Sequence, residues 1–419
     1  MAGILGPRAI FWAFLVLATG VIYNTYIHNF IFITVGIGRE IQPIEDFPWT
    51  CTRVRHPLLE GCEDLWLDDQ DRKLYAACNS LESRKGWSPG GNLYNISTRS
   101  RTDHIAVIDV DQPGSDGLYG LRQLKIGGYQ DDLDLHGFDV RKIEGRLRFW
   151  LINHRPPVDH VTGEFLDALV VGANSTVEIF DLDETSDTLE HVKTVASEAI
   201  FTPNGVAVEE DGLGFVITND HNTKTGTMRV LEMLSGGGSL AYCRSDTGKC
   251  HIAADKGFSM PNGIAHDKNG YYYVANSASG LITVHKLVNN KLIHVESINT
   301  GYPMDNLWLD ADGNLIAAAF PDSIAFVKSI MDPYNVVPPA TVLMFNDIAK
   351  QLKTYGKNVK VSKLVEDRDA KSLPSSTVAV HDVKGHKLFL AGRTLTPLGC
   401  DRCKGHGHSL SVSTGLGDS

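Results

Sequence analysis

The chain has 419 residues, 40 of them glycine, with 8% aromatic residues and a formal net charge of −11. That charge excludes a nucleic-acid partner, which requires a basic face, and the glycine content suits a fold built on many tight turns. No block of like charge or long low-complexity tract interrupts the middle, so residues 41–403 read as one domain and 404–419 as a flexible Gly/Ser-rich tail.

At the N-terminus, Arg8 precedes an apolar run at 9–23, a short polar patch and a second apolar run at 30–37. The first run has the length of a signal-peptide core and falls short of the ~18 residues of a clear membrane-spanning helix. Residues 1–40 therefore read as a signal peptide or a signal anchor, with Ala18-Thr19-Gly20 as a candidate cleavage site. Either reading sends the body of the chain into the secretory pathway, extracellular or lumenal, with membrane association through the N-terminus if the segment is retained.

Asn95-Ile96-Ser97 and Asn174-Ser175-Thr176 are N-glycosylation acceptor triplets. Seven cysteines in an exported chain imply disulfides with one thiol left over. Cys51 near the start of the body and Cys400 near its end could close a ring, with Cys403 competing for the same partner. Cys243 with Cys250 and Cys62 with Cys78 are local alternatives.

One unit then recurs six times: a polar residue, a short apolar strand, an Asp/Asn/Gly turn and a second apolar strand. Its first strands begin at Glu63, His136, Asn204, Asn262, Asp305 and Ser376. The fourth copy, residues 260–277, is the clearest, with its turn at Asp267-Lys268-Asn269-Gly270. Further strands are expected at 103–110, 175–182, 226–233, 281–287 and 340–345, and a strand within 41–60 would complete the last copy. Six roughly four-stranded sheets around an axis make an all-β, six-bladed β-propeller, preceded by a hydrophobic N-terminal segment.

In a propeller the first strand of each blade lines the central channel, so the first residues of the six units converge there. Glu63 and Asp305 bring carboxylates, while Asn204, Asn262 and Asn306 bring neutral carbonyl oxygens. An oxygen-rich set without cysteine and with two carboxylates fits a hard divalent cation, above all Ca²⁺. The hairpin of the second unit sets His136 beside His154, and the ends of other hairpins bring Asn219-Asp220-His221 and Asn276 to the same face. A histidine pair beside a hard cation fits a general base with an orienting or relaying partner, and the cation would polarise a carbonyl and stabilise its oxyanion. No G-x-S-x-G elbow occurs.

With these residues in view, the chain from about 41 to 400 resembles the paraoxonase/arylesterase family of calcium-dependent lactonases. The resemblance rests on GCEDLWL around Glu63, HGF at His136, NH at His154, PNG at Asn204, TNDH at 218–221, PNGIAHDKNG at Asn262 and MDNLWLDADG at Asp305. It implies a catalytic calcium on Glu63, Asn204, Asn262, Asp305 and Asn306, His136 as base supported by His154, and a closing Cys51–Cys400 disulfide. It also implies a second, structural calcium on Asp64, on an aspartate following Asn204, and on the Phe138 carbonyl. Here Gly205 stands where that aspartate is expected, so the second ion is weakened, re-liganded or absent. The resemblance implies hydrolysis of small-molecule lactones and aryl esters, with side activity on phosphotriesters. Residues 80–102 and 321–339 depart from the family pattern and are expected to re-form the walls of the substrate site. The rival readings are a gluconolactonase-type single-metal hydrolase, against which the histidine pair counts, and a non-catalytic calcium-binding propeller. A strictosidine-synthase-like propeller would lack the cage of Glu63, Asp305 and Asn306.

Overall fold

The computed structural model describes residues 6–23, 27–373, 375–392 and 395–402, the last span as backbone; Cys403 and the expected tail lie outside them. The body is an all-β propeller. Its inner strands are β1 (Asp64–Asp68), β2 (Leu135–Ile143), β3 (Pro203–Val208), β4 (Pro261–His266), β5 (Met304–Leu309) and β6 (Val378–Asp382). These strands adjoin one another in sequence order and β6 returns to β1. Apolar clusters fill the gaps between neighbouring sheets: Tyr75, Phe149 and Phe180 between the first and second, Phe215 and Trp150 between the second and third. Corresponding clusters continue around to the last gap, where Val378 and Phe389 meet Leu65 and Leu74.

Five sheets have four strands each, the repeat expected from the sequence. The sheet containing β2 departs from it, because Lys125–Gly127 adds a fifth strand, parallel to Thr188–Val195 at the outer edge. The turns follow from their Asp and Gly residues. Asp267 Oδ1 accepts from the Asn269 and Tyr271 amides, each at 2.9 Å, and Gly270 takes the φ of +77° that closes the reversal.

The last sheet joins both ends of the body: Trp49–Arg53 pairs with Leu395–Arg402, beyond Lys387–Gly392 and β6. This covers an edge that would otherwise be open. The register sets Cys51 opposite Cys400. Cys51 is disulfide-bonded, while the Cys400 side chain lies outside the described residues. Cys62–Cys78 and Cys243–Cys250 form disulfides.

One expected strand is overturned. Residues 226–233 do not continue the third sheet; Met228–Ser235 is a helix, and the sheet's third strand is Ser239–Arg244. The helix turns Arg229 and Glu232 inward and leaves Met228, Val230 and Leu231 exposed. Its apolar residues thus mimic a strand pattern, whereas its two buried charges at i and i+3 set the helical face.

Ahead of the body, Pro7–Ile22 forms a 16-residue helix, and no helix among the described residues is long and apolar enough to cross a membrane. Phe30–Val35 follows as a short π-helical turn. Arg39 ties this region to the body, donating to Pro321 O and Gly301 O at 2.8 Å and stacking on Tyr302.

His285, in the strand Leu281–Val288, is buried with neither ring nitrogen hydrogen-bonded. Burial, and then His294, push its pKa down to about 4. The unfolded chain takes up this proton near pH 6.5 and the folded chain does not. Stability attributable to this site should therefore fall between pH 6.5 and 4, by roughly 3 kcal/mol in total. In His285→Leu, denaturant unfolding across that range should show a slope about one proton shallower than the parent; an unchanged slope would contradict the assignment.

Candidate active site

The local device that builds the site is a β-bulge, repeated. In β2 the ladder pairs Leu135 with Asn153 and then Phe138 with Leu151, so His136 and Gly137 oppose one residue. The same slip falls at Asn204-Gly205 in β3, at Asn262-Gly263 in β4 and at Asp305-Asn306 in β5. A bulge leaves its extra residue out of the ladder and re-aims the side chain. Four of the six unit starts singled out in the sequence, at His136, Asn204, Asn262 and Asp305, are these bulges; the ladders after Glu63 and Ser376 run without a register shift.

Glycine lets these bulges stack closely. A Cβ on Gly137 would stand 2.5 Å from Asn204 O, one on Gly205 2.8 Å from Asn262 O, and one on Gly263 2.5 Å from Asn306 Cα. The ring closes through Glu63, whose carbonyl accepts from Asn306 Nδ2 at 3.1 Å and Thr377 Oγ1 at 2.9 Å. Glu63, His136, Asn204, Asp305 and Asn306 are all buried. Two carboxamide oxygens, Asn204 Oδ1 and Asn262 Oδ1, are buried with no protein hydrogen-bond partner. A buried acceptor without a donor is costly, and a hard cation is the group this donor chemistry would satisfy. The residues fit such an ion. Among the described residues no three His, Cys, Asp or Glu side chains are grouped to hold a metal, as follows for a set in which amides outnumber carboxylates.

His136 and His154 meet edge to face, with ring centroids 5.1 Å apart. His154 Nδ1 bonds Ser175 Oγ at 2.9 Å, while its buried Nε2 has no partner. Burial, and then the neighbouring His136, hold the His154 pKa well below the ordinary range, so this ring is neutral. Asp220 lies near the pair. Its burial alone would raise its pKa, yet Arg229, His221 and His136 hold it at about 2. Asp220 Oδ1 is 2.8 Å from His221 Nδ1, but off hydrogen-bond alignment.

The other residues carried to this face by the hairpin ends do different work. Asn153, Asn219 and Asn276 each accept from a backbone amide of the preceding loop, at Asp134, Phe201 and Ser259, at 2.7–3.0 Å. They pin strand junctions and are not oriented to an ion.

Residues 80–102 cover the histidines. Trp87 Nε1 donates to His154 O at 3.0 Å, and a Cβ on Gly90 would lie 3.4 Å from His136 Cε1. Arg229, on the helix Met228–Ser235, donates to Gly90 O at 3.2 Å and reaches Asp220 at 3.4 Å. Beneath the cover are cavities of about 10 and 20 Å³ beside His154, room for a water apiece. The large cavity, about 640 Å³, lies along the later residues of the inner strands; Asp64, Phe138 and Asn306 line it and neither His136 nor His154 does. His154, whose Nε2 has no partner, lines both small cavities, and His136 lines the larger of the two. Arg84, Ser175 and Arg229 escaped sequence reasoning. Each comes from a segment outside the inner strands, and only the fold brings it to the axis.

At the expected second-ion position, Asp64 Oδ2 accepts from the Phe138 amide at 3.0 Å, and burial pushes its carboxyl up to about 8. Asp139 binds the Val208 amide and Arg141. Any side chain at Gly205 would force β3 away from β4, because the obstructing atom belongs to the Asn262 backbone. Gly205→Ala should therefore cost about 1–3 kcal/mol of stability, read from the denaturant midpoint; an unchanged midpoint would show that the strands can part freely.

Of the acceptor triplets, Asn95 is exposed on the cover, whereas Asn174 is half-buried in the strand Asn174–Asp183 beside buried Ser175 and Thr176.

Comparison with known proteins bears on the same region. The arylesterase family model matches residues 167–401, more than half of the chain. Rat serum paraoxonase/lactonase 3 is 28% identical over 85% of this chain and 89% of its own length. Rat serum paraoxonase/arylesterase 1 is 30% identical over 68% and 73%, and human serum paraoxonase/lactonase 3 is 30% identical over 70% and 75%.

Proposed function

This chain belongs to the arylesterase family, and from that premise we propose that it is a calcium-dependent hydrolase of lactones and aryl esters, built as a six-bladed propeller. The observation that carries the reading is the pair of buried, unpartnered amide oxygens on Asn204 and Asn262, set on successive bulges beside the His136–His154 pair. Glu63, Asn204, Asn262, Asp305 and Asn306 would hold one catalytic Ca²⁺, which supplies a Lewis acid to polarise the carbonyl and stabilise the oxyanion. We assign no second ion, since Gly205 leaves Asp64 and the Phe138 carbonyl without the third ligand.

His136 takes the proton of the attacking water, and the protonated ring can return it to the departing alkoxide. His154, neutral and held at Nδ1 by Ser175, offers Nε2 to orient or relay. The anionic Asp220 favours the charged form of His136 after proton transfer. A lactone is larger than the cavities beside His154, so turnover in this reading requires residues 80–102 to move aside. The disulfides support export through the secretory pathway. The N-terminal segment is the leader or anchor, and Asn95 is the better-placed glycan acceptor.

The test is an assay of the purified full chain on lactones and aryl acetates, before and after chelation and with Ca²⁺ restored. Activity should vanish with the chelator and return with calcium. Turnover that survives chelation sinks the calcium mechanism, and calcium binding without turnover favours the non-catalytic propeller.

A further inference from the structure

One cation is already at the proposed metal site, and it comes from the cover. Arg84 ends the short helix Leu81–Arg84, whose N-cap Ser80 accepts from the Ser83 amide. Its side chain is buried, as is that of Glu63, and Nη1 donates to Glu63 Oε2 at 2.5 Å. Nε donates to Asn79 Oδ1 at 2.5 Å and Nη2 to Leu135 O at 3.4 Å. Each of the three guanidinium nitrogens thus donates to a protein acceptor, and the side chain is only 8% exposed, unlike that of a surface pair.

The physics of this contact has two parts of opposite sign. Without an ion, Glu63 is a buried carboxylate, and leaving such a charge uncompensated is strongly destabilising; Arg84 supplies the compensation. With an ion bound, the fixed positive charge of the guanidinium stands on the same carboxylate as a divalent cation, in surroundings where burial weakens screening. The two cations repel, and Glu63 shares its charge between them.

We infer that Arg84 is a built-in counter-cation of the metal site: it stabilises the ion-free state through Glu63 and weakens calcium binding. This rests on the reading that Glu63 is a calcium ligand. It also gives residues 80–102 a role beyond covering the histidines. The segment that must move for substrate carries the charge that tunes the ion, so displacing Arg84 from Glu63 and binding calcium tightly favour each other, as linkage requires.

The experiment compares the full-length parent with Arg84→Met and Arg84→Lys. Calcium affinity is measured by competition with a chelator of known affinity, and melting midpoints are recorded with and without calcium. Arg84→Met should bind calcium about tenfold or more tightly than the parent while melting lower without calcium, so that its calcium-induced shift is wider. Arg84→Lys keeps the charge and should stay within about threefold of the parent affinity. Unchanged or weaker calcium binding in Arg84→Met overturns the inference. So does an Arg84→Met chain that fails to fold even with calcium, because the loaded state is held not to need this arginine. A purely structural role would lower both melting midpoints equally and leave the affinity alone. If the parent itself binds no calcium, it is the reading of the site that fails, and the parent's own titration shows this independently of either variant.

Discussion

His136→Gln should leave the propeller folded and lower hydrolysis of lactones and aryl esters by about two to four orders of magnitude, the usual yield of a positioned general base. Glutamine occupies similar space and can hydrogen-bond, but it cannot take a proton from water at neutral pH. His136 sits on a bulge whose packing against the next strand is made by Gly137, so the substitution leaves the neighbouring backbones where they are. The loss should fall on kcat rather than on KM, with the melting midpoint in calcium unchanged. His154→Gln should cost less, because that ring is anchored to Ser175 and acts through His136. Activity of His136→Gln within about threefold of the parent would remove this residue as the base.

The second large effect has opposite signs in two states. Asn204→Leu replaces a buried amide, whose oxygen has no protein partner, by an apolar side chain of similar shape. Without calcium, relief of the unsatisfied acceptor should offset any lost contacts and leave the chain as stable as the parent, or more stable by about 1–3 kcal/mol. With calcium the same change removes a ligand. Loss of partners outside the immediate ligands costs about 10–100-fold in metal affinity, so loss of a ligand should cost at least about a hundredfold, with turnover falling in step. Melting with and without calcium separates the two: the parent should gain stability from the ion and the variant should not. A variant that melts lower in both states would mean that Asn204 merely caps its strand, the ordinary role of asparagine at such positions.

The inner half of the propeller was legible because every inner hairpin carries its own instructions. Apolar alternation sets each strand, and Asp, Gly or both set each turn; those interactions span only a few residues, as at Asp267, Asn269 and Gly270. The outer strands were less legible. At 226–233 an apolar run that suits an edge strand is a helix, because the buried Arg229 and Glu232 find partners at Asp220, Gly90, Asn222 and Thr223. Those partners are invisible to local pattern. The added strand Lys125–Gly127 is likewise fixed by pairing with residues some sixty positions later in the chain.

For the site, the sequence by itself determined which residues open the inner strands, and hence that carboxylates, amides and a histidine stand at those openings. It also determined that position 205 carries no ligand. Tertiary structure decided how those residues are partnered. The bulges turn His136, Asn204, Asn262 and Asp305 out of their ladders, and ring closure brings Asn306 onto Glu63. It assigned Asn153, Asn219 and Asn276 to strand junctions and brought Arg84, Ser175 and Arg229 against Glu63, His154 and Asp220. The reason is range. A turn or a strand is settled by neighbours a few residues away, whereas the electrostatics of a buried site are settled by whichever distant charges the closed ring packs against it.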